Sequence, residues 1–249
     1  MEQNRIDPTI AYDVIELPSK GIHYENNKKT VRVAYLTAVD ENILSSPNLI
    51  ATQQVVNELL KRKVLDKDLS IDDIVEEDKQ AILIFLRNTA FGSDYRLTMT
   101  DPKTEKEFTV DVDLSTLKTK EFKLESDENG EYKYYMEKSK IHVTFKFLSK
   151  KQEDEIDQIR DNWNGNGVAP IITKQLEFMI ISVNSNREPM QIRAFIEKMP
   201  IKDSQDFRKF VSDNKPGLDL TQNVTTPSGE VIQANIGFGV EFFRPFYGI

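Results

Sequence analysis

The chain has 249 residues, with 33 Lys and Arg against 41 Asp and Glu for a net charge of −8, 39% hydrophobic and 30% charged residues, and no Cys. That length holds one large domain or two small ones, each with a core of its own. The lack of Cys excludes disulfides, thiol nucleophiles and thiolate metal sites, and only His23 and His142 remain for a His-based one. The acidic balance argues against general nucleic-acid binding, which rests on neutralising phosphates. The longest apolar runs, 81–86 and 178–181, fall far short of the roughly 20 residues that a membrane-spanning helix needs. No basic stretch leads into an apolar one at the amino terminus, so no secretory signal is read there.

In chain order, residues 1–35 read as irregular around the breakers Pro8 and Pro18, until Val31, Val33 and Tyr35 alternate as a short strand. Thr37 and Asp40 have capping-box spacing and start a helical turn. Ser46 before Pro47 opens a helix that Val55, Val56, Leu59 and Leu60 continue to about Val64. Ser70 with Asp73 starts a short turn, and residues 78–88 carry Ile82, Leu83, Phe85 and Leu86 before Gly92 stops the helix.

From Tyr95 the period changes to two. Tyr95, Leu97 and Met99, then Phe108, Val110 and Val112, then Ile141, Val143, Phe145 and Phe147 predict half-buried antiparallel strands. Asn129-Gly130 reads as a hairpin turn. Residues 150–163 are charged and helical, and 164–167 form a flexible break. Pro170 then starts a helical run through Ile171, Ile172, Leu176, Met179, Ile180 and Val183 that belongs to a core. Residues 189–199 and 204–212 read as two shorter helices, the second opened by Asp203 or Ser204. A turn at Thr226-Pro227-Ser228-Gly229 leads to a β-rich end over 231–243, where strand alternation would put Phe242 and Phe243 on opposite faces.

The fold class is therefore α+β. A mixed strand and helix unit is expected over 1–94, a small antiparallel β module over 95–149, and a helical cluster with a β-rich end over 150–249.

Few residues point to chemistry. No nucleophile elbow, phosphate loop, calcium loop or dinucleotide fingerprint is present. His142 alternates with Ile141 and Val143 as a strand residue, while His23 lies in a loop behind Gly21. The carboxylate runs Glu76-Glu77-Asp78 and Glu153-Asp154-Glu155 read as a helix start and a solvated helix face, although a carboxylate-dependent hydrolase would need only two that converge. Residues 118–151 interleave nine Lys and six acidic residues with Phe122, Tyr132, Tyr134, Tyr135, Phe145 and Phe147, a weak candidate for base stacking.

Several stretches, taken in order, resemble the baseplate hub protein family of T-even-type contractile-tailed phages. Leu17-Pro18-Ser19-Lys20-Gly21 followed by Tyr24 is similar to that family's L-P-S-K-G and aromatic. Residues 31–38 and 40–50 are similar to its strand, L-T and D-E-x-I-L segments, and Asp78, Arg87, Gly92, Asp94 and Tyr95 follow its third pattern. Phe242-Phe243-Arg244-Pro245 looks like its F-F-x-P close. Many relatives carry C-P-x-C where Asp101-Pro102-Lys103-Thr104 stands, so a zinc role does not carry over.

The resemblance implies a structural protein of the central hub, with no catalytic residues and no cofactor. Its partners would be other hub or tail proteins, with no nucleic acid and no membrane, and an oligomer within the assembly is open. Its location would be the host cytoplasm during assembly and the tail baseplate if retained. Alternatives are an assembly chaperone absent from the mature virion and, from another class, a cell-wall hydrolase. Candidate partner-binding residues are Lys20, Gly21, His23 and Tyr24, in a loop that docks a partner or the chain's own β module. Phe246, Tyr247 and Ile249 are the others, apolar residues at the chain end that dock a neighbour or pack at home.

Overall fold

The computed structural model describes residues 9–24, 26–163, 167–238 and 240–243. Its small antiparallel sheets and its helices make the α+β fold that the changes of period predict. The described residues divide into two compact units, one built from 9–20, 29–120 and 217 onward, the other from 21–28 and 121–216. No helix among them is long and apolar enough to cross a membrane.

The first unit begins with β1 (Tyr12–Glu16), antiparallel to β2 (Thr30–Ala34). Val31, Val33 and Ala34 of β2 are buried, while β1 is exposed along most of its length. Residues 12–16 were expected to be irregular; the adjoining prolines hide a strand that exists because 30–34 pairs with it.

Thr37 and Asp40 open α1 (Ala38–Leu44) with the expected capping box. The single helix expected from Ser46 to about Val64 is two, α2 (Pro47–Ala51) and α3 (Val55–Lys63). The break carries Gln53 at φ 56°, and the Thr52 hydroxyl donates back to the Asn48 carbonyl, which ends α2. Thr52, Gln53 and Gln54 have no apolar side chain to continue a buried stripe. A 3-10 turn (Ile71–Asp73) leads to α4 (Glu76–Phe91), which buries Ile82, Leu83, Ile84 and Leu86 and ends on Gly92 at φ 83°.

The hairpin β3 (Asp94–Thr100) and β4 (Glu107–Asp113) sets Tyr95 opposite Val112, Leu97 opposite Val110 and Met99 opposite Phe108, so the predicted alternation lies on one shared face. After the second unit, the chain returns through β5 (Thr221–Thr225) and β6 (Val231–Asn235), joined by the predicted turn with Gly229 at φ 87°. The β-rich end stops at Asn235. Residues 240–243 form a 3-10 turn, and Phe242 and Phe243 are both fully buried instead of facing opposite ways. Backbone bonds close the first unit where the chain leaves and re-enters it. The Leu17 N–H donates to the Lys29 carbonyl at 2.8 Å, Lys120 N–H to Gly217 O at 2.8 Å, and Asp219 N–H to Lys118 O at 2.8 Å.

The second unit holds a three-stranded sheet of β7 (Tyr132–Met136), β8 (Ile141–Phe145) and β9 (Ile180–Val183), with β8 in the middle. Four helices accompany it: α5 (Lys150–Asp161), α6 (Ile171–Met179), α7 (Pro189–Lys198) and α8 (Ile201–Asp213). The expected helical run to Val183 stops at Met179, because β8 offers an edge on which the β-branched Ile180, Ile181 and Val183 pair better than they continue a helix.

Asn129-Gly130 forms a turn with Gly130 at φ 70°, but it precedes β7; the β7–β8 hairpin turns at 137–140, with Lys140 at φ 56°. The core gathers Met136, Val143, Phe145, Leu176, Met179, Ile192, Ile196 and Phe207. Phe145 lies 5.3 Å from Phe207 and 5.6 Å from Tyr132, ring centre to ring centre. Tyr132, Phe145 and Phe147 are therefore committed to packing and present no platform for bases.

Candidate functional site

The stretches that carry the family resemblance in the first unit are held together by buried polar groups. Ser19, at the end of Leu17-Pro18-Ser19, is buried and donates from its N–H (2.9 Å) and its hydroxyl (2.6 Å) to the Asp78 carboxylate in the first turn of α4. Nine residues on, Arg87 is fully buried at the far end of α4. One of its guanidinium N–H groups donates to the Asp94 carbonyl at 2.7 Å, and the guanidinium stacks 5.4 Å from the Tyr95 ring and 5.7 Å from that of Phe242. Burial pushes the Arg87 pKa down, with the nearby Tyr95 and Asp94 opposing that shift. Phe242 thus stands with Arg87 and Tyr95, and these motif residues build the first unit's interior.

Asp40 works in the same way. It accepts from the Thr37 N–H at 2.7 Å and the Thr37 hydroxyl at 2.9 Å, pairs with Arg62 at 3.0 Å and contacts the Lys63 ammonium. Lys63 also donates to the Tyr35 carbonyl at 2.9 Å.

The loop residues singled out in the sequence fall as follows. Lys20 is exposed, with a left-handed backbone at φ 55°, and its N–H donates to Leu17 O at 2.9 Å. Gly21 is buried at φ 80°; a Cβ there would stand 2.7 Å from both the carbonyl carbon and oxygen of Asn27. His23 is half-buried, its Nδ1 2.7 Å from the Leu148 carbonyl and its ring edge-on to Phe147. Tyr24 is buried, its N–H donating to Gly21 O at 3.1 Å. Gly21, His23 and Tyr24 thus lie together in the second unit. Phe246, Tyr247 and Ile249 lie outside the described residues.

Several carboxylates of the two runs are engaged locally. Asp78 is taken by Ser19, while in α5 Glu153 pairs with Lys215 at 3.0 Å and Glu155 with Lys174 at 3.3 Å, and Asp154 pairs with Lys150. Among the described residues no group of three or more His, Cys, Asp or Glu is placed to hold a metal.

In the segment Asp101-Pro102-Lys103-Thr104, buried Asp101 accepts from the N–H groups of Lys103 (2.9 Å), Thr104 (3.3 Å) and Ser228 (3.1 Å) and from the Ser228 hydroxyl (3.0 Å). This clasp joins the tips of the β3–β4 and β5–β6 hairpins. Its carboxylate is engaged and no thiolate stands beside it, so the residues present do not fit a zinc ion.

Burial raises the Asp101 pKa, but the bonds from Lys103, Ser228 and Thr104 outweigh it and hold the carboxyl below its usual range. A depressed folded pKa stabilises above the unfolded value and ceases to do so as pH falls through the folded one. Asp101→Asn is therefore expected to melt a few degrees lower than the unaltered protein at pH 7. The gap should close as the pH is lowered below the carboxylate range, as followed by thermal circular dichroism.

Sequence reasoning missed Asp101, Asp203 and the β1 edge. Asp203 was read as a helix opener, yet α8 starts at Ile201. Its carboxylate instead accepts from the N–H groups of Lys138 (2.9 Å) and Ser139 (2.7 Å) and from the Ser139 hydroxyl (2.6 Å) in the β7–β8 turn. Arg87 was named as a residue of the resembled family's third pattern; its burial was signalled only by its place directly behind a six-residue apolar run.

No curated protein and no solved structure matches the chain. The family described as T4 bacteriophage base plate protein matches it over residues 11–243. That span takes in β1, the Asp40, Asp78 and Arg87 clusters, the whole second unit and the buried Phe242-Phe243 pair; the chain belongs to the T4 bacteriophage base plate protein family.

Proposed function

We propose that the chain is a structural component of the central hub of a phage tail baseplate and acts by protein–protein assembly without catalysis. The observation that carries this reading is the extent of the family match, 11–243, which includes both units instead of one embedded module. The pairing of its carboxylates with lysines and serines supports a role without proton transfer. The exposed Lys20 beside a fixed glycine supports a docking loop, and Phe246, Tyr247 and Ile249 supply an apolar tail for a neighbouring subunit.

Mass spectrometry of purified particles tests the reading. A defined copy number in the particle supports the hub role, and presence only in infected lysate makes the protein an assembly chaperone. Lys20→Glu and removal of residues 246–249 are each expected to leave the melting temperature within about 2 °C and to reduce incorporation into baseplates severalfold. A large fall in melting temperature with normal incorporation of the folded fraction would make the loop or the tail part of the protein's own core.

A further inference from the structure

We propose that the outer edge of β1 is a docking strand that takes an extended basic segment of another polypeptide by antiparallel strand addition. The proposal rests on the assembly reading only for the source of that segment; the edge itself is a property of this chain.

The register between β1 and β2 decides which backbone groups are spare. Tyr35 N–H donates to Ala11 O and Leu17 N–H to Lys29 O, which makes 11:35 and 17:29 hydrogen-bonded pairs. Antiparallel pairs alternate, so the odd-numbered residues of β1 turn their N–H and C=O groups toward β2. Those of Tyr12, Val14 and Glu16 point the other way. No strand or bridge among the described residues pairs with that side, whereas the far side of β2 is covered by the Val33–Val64 bridge and by Asp66, which accepts from Arg32 N–H.

The side chains on this edge are apolar in the wrong place for a strand left to water. Ile10 and Tyr12 are each 39% exposed and Val14 59%, and at even spacing they share one face. An exposed apolar edge strand is a template for another strand, and folded proteins usually blunt it with Lys, Pro or a cover. Residues 9–17 contain no Lys or Arg and no Pro.

Charge chooses the occupant. Asp13 and Glu16 are exposed and give the strand two carboxylates, one of which, Asp13, accepts from the Tyr35 hydroxyl at 2.6 Å. A second copy of β1 would bring two more carboxylates and no cation. A strand with cations opposite Glu16 and Asp13 and apolar residues opposite Val14 and Tyr12 satisfies both faces. Read from its own amino end, the segment runs basic, any residue, apolar, basic, apolar. Backbone pairing would supply affinity and the alternating side chains specificity, as in other strand additions.

The test uses the full chain and a fluorescein-labelled peptide built on R-S-I-K-V, followed by anisotropy. This peptide should bind at least tenfold more tightly than its E-S-I-E-V counterpart. Val14→Pro removes an outward N–H without touching the β2 ladder and should abolish binding with the urea midpoint little changed. Glu16→Lys should weaken the basic peptide at least threefold.

Should Val14→Pro fail to fold, methylating the peptide's alternate backbone nitrogens blocks the same pairing from the other side and must abolish binding to the unaltered protein. Equal binding of both peptides, or binding that survives both blocks, overturns the proposal. So does a concentration-dependent dimer that Val14→Pro dissolves, which would make a second copy the occupant. Peptide binding is read without particles. An absence of the protein from purified virions would therefore remove the hub role and leave the edge standing.

Discussion

Asp40→Ala is expected to lower unfolding free energy by about 3–5 kcal/mol, the cost of stranding a buried cation. Asp40 and Lys63 expose only 1% and 6% of their side chains, so neither reaches bulk water without moving the start of α1 or the end of α3. With Asp40 gone, the Lys63 ammonium keeps the Tyr35 carbonyl alone, and the Thr37 N–H loses its acceptor. Burial works against the Asp40 charge, but the bonds from Lys63 and Thr37 outweigh it and hold the carboxyl below its ordinary value. The contribution is thus complete above the unfolded carboxylate pKa and disappears as pH falls through the lower folded one. Urea denaturation at pH 7 and pH 3 reads both effects. Adding Lys63→Met to Asp40→Ala should restore part of the loss, because the stranded charge leaves with it. A cost below about 1 kcal/mol for Asp40→Ala alone would mean that Lys63 swings out to solvent.

Gly21→Ala should cost about 2–5 kcal/mol, combining a left-handed backbone with overpacking. The new methyl meets the Asn27 carbonyl carbon and oxygen at 2.7 Å and the Lys28 carbonyl at 2.9 Å, all backbone atoms that no side-chain rotation can clear. Gly130→Ala is the internal control. Gly130 has the same sign of φ, at 70°, and open space around it, so it should cost only about 1–2 kcal/mol. Equal losses in the two variants, measured by urea denaturation, would show that the contact with Asn27 relaxes.

The family motifs in the first unit were legible, and the part they play was not. Thr37 with Asp40, Ser46 before Pro47, Gly92 after an apolar run and the alternation from Tyr95 are local signals, and each produced its local structure. What escaped depends on distant partners. Asp203 serves a turn 64 positions away and Asp101 a turn 127 positions away, distances over which no spacing rule operates. Residues 180–183 leave helical periodicity only because β8 is there to receive them. The need for glycine at position 21 was readable as a turn, but the nearness of Asn27 was not. The exposed face of β1 was hidden for a related reason: apolar side chains do not announce which of them stay outside.

The hydrogen bonds that close the first unit at Leu17–Lys29 and at Lys118–Asp219 have a mechanical meaning. The chain enters the second unit at 20/21 and 120/121 and leaves it at 28/29 and 216/217, and beside each excursion a first-unit backbone bond holds the two strands of chain together. Tension applied at the first unit's outer segments is carried across these bonds and is shunted past residues 21–28 and 121–216. The second unit then lies off the load path and keeps its fold until a clamp tears. In a single-molecule pull from the chain ends, rupture of the first unit should therefore precede any extension of the second.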